Sequence, residues 1–224
     1  NVGNEGAFAP TGISTNELPL QIIVEAIEKS GYKPMEEVGI SMDAAASEFF
    51  SDGTYKLSIE GKELTSPELI NYYLSWFDKY PIVTVEDMLH EDDWEYWPEL
   101  TEKIDFPNIG DDLTVTNIER FQKAIDSKAA NAILIKLNQI GSLTETVDCC
   151  MLARENGMMT VVSHRGGGET NDTSMVDVAV ALNSGFIKVG PARGERVCKY
   201  NRLMKIEEEL GEEAQVMGKE YAKV

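Results

Sequence analysis

The chain has 224 residues, 42% of them hydrophobic, enough for one full-sized core and ordinary for a globular protein. Its 39 acidic and 20 basic residues leave a formal net charge of −19, which argues against nucleic acid and anionic membrane as partners. No run reaches the ~18 apolar residues that would span a bilayer, and no secretory signal is visible. The three cysteines, Cys149, Cys150 and Cys198, are odd in number and outside any CxxC spacing, which fits buried thiols in a reducing, cytoplasmic setting.

The chain opens on Asn1 and a glycine-rich loop, NVGNEGAFAPTG, a poor start for a domain. The expectation is a piece of a longer polypeptide. Ser14 or Thr15 caps a predicted helix through LPLQIIVEAIEKS that stops at Gly31. A strand follows near 37–42, then a short helical turn in AAASEFF and a small hairpin in YKLSIEGKEL with Gly61 at its turn. Ser66 is the predicted cap, and Pro67 the first position, of a helix in SPELINYYLSWFDKY. From there the pattern alternates. Strands near 82–86, 107–111, 131–136, 158–163 and 186–189 precede helices in EDDWEYWPELTEKI, VTNIERFQKAIDS, SLTETVDCCMLARENG, residues 171–184, and RGERVCKYNRLMKIEEELG.

Six apolar runs each end on one ionisable residue: Asp43, Glu86, Asp111, Lys136, His164 and Lys188. Buried parallel strands read as unbroken apolar runs. In a closed βα barrel their ends converge on one face, where the chemistry sits. Six of the eight βα units of such a barrel are visible, which places a first pair of strands upstream of Asn1. An open doubly wound sheet is the rival, but there ligand groups gather at one switch point rather than at every strand end.

Asp43, Glu86 and Asp111 would bring three oxygen ligands from adjacent strands. That set suits a hard cation such as Mg²⁺. Zn²⁺ prefers His and Cys, and the chain has two histidines, His90 and His164. Asp87 and Asp112 are expected to cap helix N-termini instead. Lys136, ending a dry apolar run beside a cation site, is a candidate base. Arg165 with Gly166, Gly167 and Gly168 offers a guanidinium and free backbone N–H groups to an anion such as phosphate.

The segments SMDAAASEFF, VEDMLHEDDWEYW, GDDLTVTN, ILIKLNQIGSLTET, VVSHR, GGETND and IKVGPARGERVCKYNRLMKIEEELG resemble enolase, the glycolytic phosphopyruvate hydratase, essentially end to end. The opening NVGNEGAFAP is similar to the family's NVGDEGGFAP. The resemblance implies an α/β fold, a modified βα (TIM-like) barrel preceded by a small N-terminal domain. Residues 1–224 would then be an incomplete C-terminal barrel domain. It further implies a lyase that interconverts 2-phospho-D-glycerate and phosphoenolpyruvate plus water, uses two Mg²⁺, and forms a cytoplasmic homodimer or higher homo-oligomer when full length. Carried over position by position, Asp43, Glu86 and Asp111 hold the tight metal. Lys136 takes the C2 proton, and Glu5 assists departure of the C3 hydroxyl. Lys188 holds the substrate carboxylate. His164, Arg165 and Gly166 lie in the substrate loop, with Arg165 on the phosphate.

The chain departs from the family pattern at Asn4 (for Asp), Ala7 (for Gly) and Met88 (for Pro). The loop SHRGGGETND lacks the family's second serine and is one residue longer, and IKVGPARGER lacks its serine and is one residue shorter. A catalytically impaired relative with a structural or binding role is therefore the alternative. A superfamily enzyme acting on another carboxylate is a third reading, disfavoured by Arg165 and the LNQIG context. Retention of both lysines and the three acids favours the enzyme.

Overall fold

The computed structural model describes residues 1–2, 8–164 and 170–216. Helix α1 (Leu18–Lys29) is followed by strand β1 (Ile40–Asp43), a 3-10 turn (Ala46–Phe49), and a small antiparallel sheet of β2 (Phe50–Ser51), β3 (Thr54–Leu57) and β4 (Lys62–Leu64). The remaining chain alternates: α2 (Ser66–Phe77), β5 (Ile82–Glu86), α3 (Trp97–Lys103), β6 (Asn108–Gly110), α4 (Ile118–Ser127), β7 (Ala132–Ile135), the one-turn α5 (Leu137–Ile140), α6 (Leu143–Glu155), β8 (Met159–Ser163), α7 (Ser174–Ala181), β9 (Phe186–Lys188) and α8 (Val197–Leu210).

The main sheet has six parallel strands in the order β1-β5-β6-β7-β8-β9. Each strand lies beside its predecessor, so the order never reverses. A doubly wound sheet requires such a reversal, and that rival is excluded. Laid flat, five inter-strand gaps of ~4.8 Å would separate the outer strands by about 24 Å. Instead Lys188 Nζ, at the end of β9, lies 2.7 Å from Asp43 Oδ2, at the end of β1. The sheet is therefore curled into a half-barrel.

Alternation along the strands sorts side chains into two layers. Ile133, Ile135, Val85 and Val162 point outward into the main core with Leu69, Ile70, Tyr73, Trp76, Trp97, Phe121 and Cys149 from the helices. Ile109, Ala132, Leu134 and Val161 point inward and form a second, smaller cluster in the lumen. Cys149 and Cys150 belong to the outer core, and burial pushes their thiols up to about 11 and about 12. They pack rather than react. None of the described helices is long and apolar enough to cross a membrane.

Three local expectations need correction. Thr65, not Ser66, caps α2, through a capping box with Glu68, while the Ser66 hydroxyl donates to Asp93 Oδ2 at 2.6 Å. The helix expected across EDDWEYWPELTEKI begins only at Trp97. The preceding residues are turns, pinned by Arg120 Nη2 to the Glu91 carbonyl at 3.0 Å. The hairpin gains a strand at Phe50–Ser51 because Asp52 and Gly53, both at positive φ, form a tight turn. Met88, at the family's proline position, is fully buried in the core.

Candidate active site

The same period-two alternation that fills the lumen chooses the residues at its mouth. Ser41, Thr84, Ile109, Leu134 and Phe186 face inward, so two residues on, Asp43, Glu86, Asp111, Lys136 and Lys188 face inward as well. Their strands are parallel and adjacent, so all five residues converge at the carboxyl ends. On β8 the inward phase falls on Ser163, not His164. His164 instead lines a neighbouring cavity of about 190 Å³ with Ser163, Thr170, Asp172 and Lys199. Its backbone amide donates to the Lys188 carbonyl at 3.1 Å, which continues the β8–β9 pairing. Glu5, Arg165 and Gly166 lie outside the described residues, as do Asn4, Ala7, Gly167 and Gly168.

Two lysines organise the acids. Lys188 Nζ lies 2.7 Å from Asp43 Oδ2 and 2.8 Å from Glu86 Oε1, bridging β1, β5 and β9. Lys136 Nζ bonds Asp111 Oδ2, and Gln139 Nε2 donates to Asp111 Oδ1 at 2.8 Å. Gln139 sits on α5, one turn past Lys136, and also accepts from Thr116 Oγ1 at 2.9 Å. Thr116 Oγ1 in turn accepts from the Lys136 backbone amide at 2.9 Å. The LNQIG turn thus orients both members of the Lys136–Asp111 pair. A cavity of about 270 Å³ beneath them is lined by Ser41, Thr84, Ile109, Val161, Phe186 and Lys188.

The electrostatics follow from burial and crowding. Burial and the neighbouring Asp43 charge push the Glu86 carboxyl up to about 7, against the pull of Lys188. Burial opposes the charge on Lys188 too, yet Glu86 and Asp43 outweigh it and hold the ammonium form beyond its usual range. Three carboxylates meet two ammonium groups here. Fully ionised, the three acids would carry one charge more than the two lysines offset.

Asp87 is not a helix cap. Its Oδ1 accepts the Asp111 amide at 3.0 Å and its Oδ2 the Asp112 amide at 2.8 Å, so it shapes the turn after β6. Burial, with the nearby charges of Asp111, Asp112 and Glu86, pushes its carboxyl well up despite the Asp112 amide. Glu86, Asp87 and Asp111 each offer an oxygen within 4.8 Å of the others, whereas Asp43 reaches the group through Lys188. Both oxygens of Asp87 already receive an N–H, so Asp87 supports the cluster more than it opens toward it. A donor set made only of carboxylate oxygens, with uncompensated negative charge, fits a hard divalent cation. His90 is not part of it: its Nδ1 accepts the Asp92 amide at 3.1 Å. Asp87 and Gln139 escaped sequence reasoning, because the first follows a strand-end acid and the second sits in a turn with no ionisable group.

The chain is 53% identical over 212 residues to an enolase of Methanocaldococcus jannaschii, an alignment covering 94% of this chain and 49% of that protein. It thus spans about half the length of the curated relative it matches. The family described as "Enolase, C-terminal TIM barrel domain" matches residues 1–224. A match across the whole sequence, on a curled sheet of parallel strands, means that the chain belongs to the enolase family as its C-terminal TIM barrel domain.

Proposed function

We propose that this domain carries the reaction centre of an enolase, which interconverts 2-phospho-D-glycerate and phosphoenolpyruvate plus water in glycolysis and gluconeogenesis. The observation that carries the reading is the ring of Asp43, Glu86, Asp111, Lys136 and Lys188 on one face of the half-barrel. Asp43, Glu86 and Asp111 would hold Mg²⁺, with Asp87 holding the Asp111 turn. Bound Mg²⁺ supplies a Lewis acid that stabilises negative charge developing on the substrate carboxylate.

The chain's own residues account for the rest. Lys188 bonds the substrate carboxylate once its own partners turn to the cation. Lys136, at the end of β7 two strands from Lys188, accepts the C2 proton. The electron pair left at C2 forms the C2–C3 double bond as the C3 hydroxyl departs. Glu5 protonates that hydroxyl, which leaves as water. Arg165, the backbone of Gly166 and His164 hold the phosphate end. A lysine base working beside Mg²⁺ is a known pattern of the enolase superfamily itself. The intact polypeptide is read as a cytoplasmic homodimer or higher homo-oligomer.

Solvent exchange separates these roles. In D2O with Mg²⁺, the intact polypeptide should wash the C2 hydrogen of 2-phospho-D-glycerate into solvent. Glu5→Gln should keep that exchange and lose phosphoenolpyruvate formation, whereas Lys136→Ala should lose both. Equal loss of exchange in the two variants would overturn the assignment of base and acid.

A further inference from the structure

Lys199 is buried, at 3% exposure, and the chemistry at the barrel mouth makes no use of it. It stands in the first turns of α8, and its ammonium meets no carboxylate within ion-pair distance among the described residues. Its Nζ instead donates to two main-chain carbonyls, those of Thr170 and Glu195, the second at 3.4 Å. The Asp172 carboxylate lines the same cavity and feels the Lys199 charge, but the direct partners of the ammonium are neutral carbonyls, and burying it against them is costly. Methionine or leucine would fill the same volume without that cost.

The two carbonyls belong to two different mouth loops. Thr170 is the first described residue after His164 at the end of β8, and Glu195, four residues before Lys199, lies in the 3-10 turn (Gly194–Arg196) that joins the segment after β9 to α8. The Thr170 side is stiff in its own right. Thr170 Oγ1 accepts the Asp172 amide at 2.8 Å. The Asp172 carboxylate accepts the Ser174 amide at 3.1 Å and its hydroxyl at 2.7 Å, at the start of α7. Other α8 residues grip the same region: Arg202 forks onto Asp177 of α7, with Nε at 3.0 Å from Oδ1. Lys199 is buried, as is Arg196 one turn earlier, and it reaches both segments at once, beside the cavity that His164 lines.

We propose that Lys199 is a positioning residue for substrate binding, a single buried cation that locks the end of the β8 loop to the end of the β9 loop. The inference rests on the enolase reading for its substrate, and on geometry alone for the lock. It sets the spacing between the segment at Thr170, beyond His164, and the segment following Lys188, without touching substrate or metal.

The test uses the intact polypeptide with Lys199→Met, which keeps volume and removes the donors, and Lys199→Arg, which keeps donors and charge. KM, kcat, Mg²⁺ affinity by calorimetry and amide exchange at residues 171–174 are measured together. Lys199→Met should raise KM for 2-phospho-D-glycerate by roughly ten- to a hundredfold, the scale of an ångström-sized misplacement. It should speed exchange at 171–174 and leave Mg²⁺ affinity unchanged, and Lys199→Arg should recover most of the KM. A folded Lys199→Met protein with wild-type KM and exchange overturns the proposal, as does equal loss of substrate and Mg²⁺ affinity. If Lys199→Met does not fold, Lys199→Arg decides: faster exchange at 171–174 with unchanged KM overturns it. If the wild type itself turns nothing over, the enolase reading fails on its own, and exchange in Lys199→Met still tests the lock.

Discussion

Asp87→Asn isolates the support of the metal cluster from the cluster itself. Asp87 accepts two amides, from Asp111 at 3.0 Å and from Asp112 at 2.8 Å, and the residue is 4% exposed. Asparagine keeps the shape and one acceptor oxygen. Its other terminus becomes an NH2 group facing an N–H, so one donor loses its partner. A buried unsatisfied donor costs about 1–3 kcal/mol, and in a domain of this size each kcal/mol lowers Tm by roughly 2–4 °C. A loss of about 5 °C is expected on that scale. The turn carries Asp111, so its carboxylate shifts relative to Glu86, and loss of such outer support lowers metal affinity by roughly ten- to a hundredfold. Thermal melts and Mg²⁺ calorimetry on the same preparation check both. Unchanged Tm with unchanged affinity would leave Asp87 no supporting role. Complete loss of Mg²⁺ binding at wild-type Tm would make Asp87 a direct ligand instead.

Glu60 gives an acid-side test. Burial alone would raise its carboxyl, but Lys62 at 2.6 Å, the Tyr72 hydroxyl at 2.6 Å and the Asn16 amide at 3.0 Å outweigh it and hold it down at about 2. A folded value below the unfolded 4.5 means stability present above that pH and lost as pH falls toward 2. Glu60→Gln should therefore flatten the stability curve across that window by about 2–3 kcal/mol, read from urea melts at each pH; an acid limb that overlays the wild type contradicts it. Gly39→Ala places a Cβ against the Val83 side chain, 2.9 Å from Cγ2, at the entry to β1. Overpacking of this kind costs about 1–3 kcal/mol, and adding Val83→Ala should restore most of it. No recovery in the double variant would mean that the contact is not the cause.

The repeating strand–helix order and the inward strand-end residues were legible because both follow from local periodicity. Buried strands read as apolar runs, and in five of the six runs the ionisable residue that ends the run is in phase with the lumen side. The same rule explains why His164 stands apart: in phase with Val161 is Ser163, and the histidine is one step beyond. What sequence missed depends on partners distant in the chain. Asp87 looks like a helix cap until Asp111 and Asp112, 24 and 25 residues on, bring their amides to it. Ser66 is as good a cap as Thr65 by composition, and its hydroxyl is claimed by Asp93 of another loop. Phe50 and Ser51 are too short a run to read as a strand without the Asp52–Gly53 turn that folds them back.

Formation of phosphoenolpyruvate from 2-phospho-D-glycerate, by the intact polypeptide with and without Mg²⁺ and beside Lys136→Ala, decides whether the strand-end ring is an enolase centre. Such a centre gives turnover that requires Mg²⁺ and disappears in the variant while fold and Mg²⁺ binding persist. Turnover undiminished in Lys136→Ala, or none in a folded wild type that binds Mg²⁺, would contradict it.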